Sequence, residues 1–378
     1  MEKQEGRLES IDALRGFDML FIMGLAVVIE QTCVALGFGN DCWLAQQMRH
    51  PKWIGLTHHD TIFPLFIFIA GLSFPFSMAK QLERGRTKAQ IAWRSLRRLV
   101  ALTLLGMLYE RYFMGEPFRF GSVLGRIGLA WSCASLLFLA FGPRVRAAVA
   151  AGVLLGYWAL NVFVPAPGFT SADVFTPQGN IVCWVDRALL LPLGRISPGT
   201  PELPFDNQGL LSTLPAVVTA MLGMFTGEFV RWARGRLSAG RETLSLVAAA
   251  TALVVAGCVA AFGCGGWSFP ISKPLWSTSF TLVVGGYSVA TFALFHWLID
   301  LRGCWRHTLF LRVVGLNAIT IYVAQPLLGL RHARTMLFGR LAGLFPERFS
   351  GLVLAIGYLA MCWALLWFLH RRKIYLKV

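Results

Sequence analysis

The chain has 378 residues, 56% hydrophobic and 14% charged, proportions that exclude an ordinary soluble domain and point to many apolar spans. Its net charge of +16 comes from Lys and Arg in short clusters between apolar segments rather than one basic stripe, so it signals topology and no nucleic-acid partner. No internal repeat or low-complexity tract divides the sequence, which reads as a single domain over 1–378.

The pattern is that of an all-α integral membrane protein. A span needs about 20 apolar residues to cross roughly 30 Å of hydrocarbon. Ten segments qualify: 16–36, 60–80, 96–114, 121–141, 145–165, 208–230, 242–264, 276–299, 308–329 and 350–370. The opening MEKQEGRLES mixes charges and no small-residue cleavage pattern follows, which predicts a retained first helix rather than a signal peptide. With the N-terminus inside, inner segments hold 21 Lys and Arg and outer ones 11, so both termini are expected in the cytosol. His50 and the 165–206 loop then face outside and Lys80–Arg98 faces inside; the outer 331–348 loop nevertheless carries four arginines.

Pro64 and Pro75 fall within the second span, which predicts a helix packed among neighbours that repair its backbone. The 165–206 segment holds seven of the 17 prolines and the short apolar run ALLLPLG, and its length suggests a lid or binding loop. The eight cysteines include no C-x-x-C pair and no metal-like spacing, so no metal is expected. Cys133, Cys258 and Cys362 sit in apolar runs; Cys33, Cys42, Cys183 and Cys264 lie toward the outer side, where a disulfide has no assignable pairing. No N-x-Ser/Thr sequon occurs, and a bacterial cytoplasmic membrane is the expected location.

Chemistry concentrates between Arg49 and Gly71, RHPKWIGLTHHDTIFPLFIFIAG, where His50, Lys52, His58, His59 and Asp60 gather at the mouth of a span. His50 can take and return protons near neutral pH. Asp60 stands where it could cap the second span's helix or orient an imidazole, but ten residues of separation do not by themselves set it against His50. His58 and His59 are adjacent, point in different directions, and are not both expected at the His50 site.

The pattern W-x-G-L-T-x-x-D-x-I-F-P-x-F-x-F-x-x-G, from Trp53 to Gly71, resembles the signature of the heparan-alpha-glucosaminide N-acetyltransferase family, multispanning enzymes that acetylate sugars from acetyl-CoA. RLESIDALRGFDM (7–19), VLGRIGLAW (123–131), FDNQGLLSTLPAVVTAMLG (205–223) and VVGLNAITIY (313–322) follow in the family's order, and the first and third resemble its compact bacterial branch. The resemblance implies acetyl-CoA as donor, a sugar or glycan as acceptor, and His50 rather than His58 or His59 as the catalytic histidine. The animal enzymes carry an asparagine late in the first membrane helix, and between Gly16 and Gly37 this chain has none. Asn40, Glu30, Gln31 or another helix would have to replace it.

Acyl transfer requires the attacking amine or hydroxyl to lose a proton, which a histidine can remove, or the histidine can be acylated first. The phosphates of CoA call for cations at the inner face, and Arg15, Arg94, Arg97 and Arg98 are placed for them, though inner loops are basic without any ligand. Asp12, Arg15 and Asp18 could also form an ion-pair ladder. Arg126 and Asn317, both within spans, are either interhelical ties or part of a donor tunnel. Trp53, Asp206 and Asn207 are the acceptor-binding candidates, Asp206 equally a helix cap. A polytopic exporter is the competing class, although no pair of related halves with broken helices is visible, and a non-catalytic scaffold would leave the histidine motif unexplained. A homodimer is compatible with the sequence.

Overall fold

A computed structural model describes residues 8–116, 118–119, 121–190, 206–263 and 266–375. The helices, in chain order, are α1 (Glu9–Leu20), α2 (Ala26–Ala35), α3 (Trp43–Gln46), α4 (His58–Glu83), α5 (Lys88–Tyr109), α6 (Val123–Ala140), α7 (Pro143–Phe163), α8 (Ile181–Leu190), α9 (Thr213–Ala233), α10 (Ala239–Phe262), α11 (Thr278–Phe295), α12 (Leu309–Leu316), α13 (Ala318–Leu327), α14 (Leu330–Ala342) and α15 (Glu347–Arg371). No β-strand occurs among the described residues.

Eight of the described helices are long and apolar enough to cross a membrane, and α12 with α13, bent by 70°, forms a ninth, broken span. All ten expected segments are helical. The third, 96–114, lies largely in α5, which falls short as a span because Lys88, Arg94, Arg97 and Arg98 occupy its first half. The break between α12 and α13 falls at Asn317, inside a run that hydropathy alone reads as continuous. Across the first span, α1 passes into α2 through a π-helical turn, Phe21–Leu25, where Gly24 has φ 122°, a value that favours glycine.

The chain forms two compact units, with boundaries inside α4 and α11. The first comprises residues up to 51, 57–62 and 291–377. In it α1 crosses α12 so closely that a Cβ on Gly16 would overlap the Leu311 carbonyl and one on Gly315 that of Asp12, the small-residue contact by which membrane helices bring backbones together. The N-terminus of α1 is tied down by Glu9, which pairs with Arg312 at 2.7 Å and donates its N–H to Asp300 Oδ1 at 3.0 Å.

The second unit comprises 52–56 and 63–290. Here α4 and α9 meet through Gly71, Gly223 and Gly227, each facing a backbone carbonyl of the other helix. The described half of the long loop is packed rather than open. Asn180 donates to Val174 O and Asn161 Oδ1, its own Oδ1 accepts the first N–H groups of α8, and Arg187 donates to the carbonyls of Pro177 and Gln178. The remainder of the expected lid, 191–205, and Cys264 lie outside the described residues. Cys33, Cys42, Cys133, Cys183, Cys258, Cys304 and Cys362 are all free thiols.

Candidate active site

The first unit brings His50 and Asp60 together. The short helix α3 turns the chain so that His50 Nδ1 lies 2.6 Å from Asp60 Oδ1. A helix needs partners for its first N–H groups, and here Gln47 accepts those of His58 and His59 through its side-chain and backbone oxygens. Thr57 precedes the helix and its N–H donates to Asp60 Oδ2 at 3.2 Å, one half of a capping box with Asp60 at N3, while the Thr57 hydroxyl donates to Arg49 O and Asp60 Oδ2. Asp60 is therefore not the N-cap that its position before the apolar run suggested but a residue of the first turn of α4, where its carboxylate accepts the Thr57 N–H and lies against His50.

The two partners differ sharply in exposure: the His50 side chain is 50% exposed and that of Asp60 1%. A carboxylate accepts from an imidazole N–H, so a neutral His50 facing an ionised Asp60 is the tautomer with its proton on Nδ1. The His59 ring packs on His50 at 4.5 Å between centroids, whereas His58 packs on Phe21 at 4.6 Å. Arg49, next to His50, pairs with Glu30 of α2 at 2.7 Å. Of the residues weighed as a replacement for the family's asparagine, Glu30 is therefore the one carried to this segment; Gln31 lies against Gly351 and Asn40 is exposed.

A second polar cluster stands in the second unit. Arg119 is shared between Asp206 at 2.7 Å and Glu110 at 3.2 Å. Arg126, only 2% exposed, donates through Nη2 to Ser212 Oγ and Gly209 O, and its guanidinium lies over the Trp276 ring, 5.0 Å from the centroid. Asp186 accepts the Leu210 N–H at 2.9 Å. Burial, with Asp206 nearby, pushes Asp186 up to about 7. Burial also raises Asp206, although Arg119 and Arg126 oppose it.

The remaining expected site residues are distributed over both units. Arg15 pairs with Asp12 at 3.5 Å on α1, while Asp18 is buried away from that pair, so the ladder stops at two. Arg97 is exposed on α5, and Arg98 lies over Trp131, 4.4 Å from its centroid. Asn317 sits at the helix break and donates to Ile374 O. Arg15 and Asn317 belong to the first unit and Arg97, Arg98 and Arg126 to the second, so neither unit alone gathers the five expected donor-binding residues. Trp53 anchors its loop, the indole N–H donating to Phe175 O at 2.6 Å and its carbonyl accepting Ser272 Oγ–H. Asn207 is exposed beside the buried Asp206.

Three features escaped sequence reasoning: the His59 stack, Asp186, and a second pair, His296 Nδ1 with Asp300 Oδ2 at 2.9 Å, on the π-helical turn His296–Leu301. The last carried a readable signal, since the two residues stand four apart on one helical face.

A polytopic all-α membrane protein with a half-exposed histidine backed by a buried aspartate at the head of a membrane helix defines the class. Residues 7–260 match the family model described as "Heparan-alpha-glucosaminide N-acetyltransferase, catalytic", and the chain belongs to that family. It is similar to the heparan-alpha-glucosaminide N-acetyltransferases of Homo sapiens, 25% identical over 366 residues (84% of this chain, 52% of the relative), and Mus musculus, 25% over 369 (86% and 55%). The chain spans about half the length of these curated relatives. The family match contains His50, Asp60, Arg126 and Asp206, and ends before His296 and Asn317.

Proposed function

We propose that this protein is a membrane acetyltransferase that moves an acetyl group from cytosolic acetyl-CoA to an amino sugar or other glycan acceptor at the outer face, with His50 as general base or transient acetyl carrier. The observation that carries the reading is the His50–Asp60 pair: a half-exposed imidazole 2.6 Å from a buried carboxylate. In direct transfer, the acceptor nitrogen attacks the thioester carbonyl and its proton passes to Nε2 of His50. The C–S bond then breaks and CoA leaves as a thiolate that takes up a proton. In the two-step alternative Nε2 attacks the thioester, the C–S bond breaks and CoA thiolate leaves and takes up a proton; the acceptor nitrogen then attacks the acetyl-imidazolium and loses its proton as the bond to the ring breaks and His50 is regenerated. Asp60 stabilises the positive charge on the ring in both. The family membership and the expected topology support the donor and acceptor sides.

Purified protein given labelled acetyl-CoA and a panel of amino sugars should yield acetylated product by mass spectrometry. His50→Ala should lower turnover by about 10² or more while CoA still binds. Product formation by His50→Ala at the wild-type rate would remove His50 from the mechanism. Export of the sugar without acetylation would favour the transporter class instead.

A further inference from the structure

The turn that follows α2 brings two cysteines together. α2 ends in a Schellman motif, in which the Phe38 N–H donates to Cys33 O at 2.9 Å and the Gly37 N–H to Val34 O at 3.0 Å, with Gly37 at φ 85°. Gly39, at φ 74°, turns the chain again before Cys42 opens α3. A Cβ on either glycine would meet nothing within 4 Å, so both serve the backbone reversal and not packing. Across that reversal the Cys33 S–H donates to the Cys42 sulfur.

The two thiols are unlike. Cys33 is buried at the end of α2, whereas Cys42 is only half-buried in the loop. The backbone N–H groups of Ala45 and Leu44, with the Cys33 S–H, draw the Cys42 thiol below its ordinary value. A reachable sulfur with more thiolate character is the one that attacks, and a second thiol already in contact behind it is placed to resolve the product. What the bond would fasten is also visible. Glu30 and Cys33 stand three apart on one face of α2, and Glu30 pairs with Arg49 at 2.7 Å. A Cys33–Cys42 bond would therefore add a covalent tie at the start of α3 to the ion pair beyond its end, on the segment that leads to His50.

We infer that Cys33 and Cys42 are a reversible dithiol–disulfide pair, closed by a disulfide-bearing oxidant, that fastens α3 to α2. The Cys42 thiolate attacks one sulfur of the oxidant's disulfide and releases the first oxidant thiolate. Cys33 then loses its proton and attacks the Cys42 sulfur, releasing the second. Two protein thiols are oxidised, the oxidant's disulfide is reduced to two thiols, and the two protons go to those thiolates. The proposed topology sets the pair on the outer side, where disulfides form and persist. The inference is independent of the acetyl-transfer reading.

The test equilibrates the full chain in nanodiscs with glutathione buffers from fully reduced to fully oxidised, quenches in acid, alkylates the remaining thiols and maps peptides without reduction. Trypsin leaves both cysteines in one peptide, 16–49, between Arg15 and Arg49. On oxidation that peptide should lose two hydrogens and take up no alkyl group, and dithiothreitol should restore two alkylation sites. In the reduced protein a brief pulse of iodoacetamide should label Cys42 before Cys33. Amide hydrogen exchange over residues 43–50 should slow on oxidation in the wild type and stay unchanged in Cys42→Ser and Cys33→Ala. If Cys33→Ala fails to fold, Cys42→Ser, whose substitution lies in the loop, supplies the same control, and the wild-type peptide map stands without either. Alkylation of both cysteines at every buffer ratio overturns the inference. So does glutathione retained on Cys42 without transfer to Cys33, a bond from either residue to another cysteine, or exchange that oxidation leaves unchanged. None of these readouts involves turnover, so their failure leaves the acetyl-transfer reading standing, and absence of acetylated product leaves the thiol result standing.

Discussion

Asp60→Asn separates the two jobs that one carboxylate performs. The asparagine oxygen can still accept the Thr57 N–H that Asp60 Oδ2 now accepts at 3.2 Å, so the α4 cap survives and stability should change by about 1 kcal/mol or less. The contact to His50 does not survive in kind. At 2.6 Å from Nδ1, an ionised Asp60 Oδ1 favours the imidazole tautomer that carries its proton on Nδ1. An amide has an N–H to offer there, which favours the opposite tautomer, with Nδ1 accepting and Nε2 protonated. A base in the wrong tautomer loses most of what general-base catalysis contributes, 10²- to 10⁴-fold, equivalent to about 2.7 kcal/mol or more of transition-state stabilisation. Turnover at saturating acetyl-CoA and acceptor, measured by mass spectrometry of acetylated sugar, should fall by about 10² or more with the melting temperature nearly unchanged. Asp60→Ala should lower both, since it removes the cap too. Near wild-type turnover in a folded Asp60→Asn protein would refute the orienting role and leave Asp60 as a cap alone.

Gly223→Ala places a methyl group against the Phe68 carbonyl at the α4–α9 crossing and should destabilise by about 1–3 kcal/mol, read as a lower melting temperature in detergent; Gly156→Ala, with nothing within 4 Å, should be neutral or slightly stabilising. Asp186, raised to about 7 by burial, holds a proton in the folded state that the unfolded chain has lost, so its contribution to stability is present at low pH and disappears as pH rises toward and through about 7. Asp186→Asn should accordingly flatten the fall in melting temperature between pH 5 and pH 8 on the scale of that titration, and an unchanged slope would count against it. In intact cells an impermeant thiol reagent should modify a cysteine engineered at Pro167 and spare one at Arg86, and the reverse pattern would invert the proposed topology.

The helices were legible because a membrane span is a composition and a length, and nearly all of the apolar runs became one helix each. What hydropathy cannot register is direction. The 70° break at Asn317 interrupts a run that stays apolar on both sides, and the π-helical turn at Phe21–Leu25 leaves no compositional mark beyond Gly24. The segment after the ninth span read as an outer loop with four arginines, yet its first part is α14, Leu330–Ala342, a helix too polar to look like a span. At the site, motif residues were visible as types but not as partners. Thr57 and Asp60 are three apart, so their cap could be read locally, whereas Arg119 and Asp206 meet across 87 residues and no local pattern predicts that pair. Trp53 donates its indole N–H to the Phe175 carbonyl, a partner 122 residues away that no local pattern predicts.

Two His–Asp pairs in one unit show why residue type alone does not make a base. His296 and Asp300 meet at 2.9 Å, close to the geometry of His50 and Asp60, but their side chains are only 4% and 8% exposed and the other Asp300 oxygen holds the Glu9 N–H. His296 is also stacked flat on Phe292, 5.3 Å between centroids. That pair is buried on both sides and tied into the anchoring of α1 through the Glu9 N–H. In the His50 pair burial is confined to the carboxylate while the imidazole stays half open, so the group facing the ring is shielded from water and the ring itself is only half shielded. The asymmetry follows from the chain order: Asp60 is in the first turn of a membrane helix and is buried with it, and His50 is still in the loop that precedes it. Moving the histidine into the helix would bury both partners and give another structural pair.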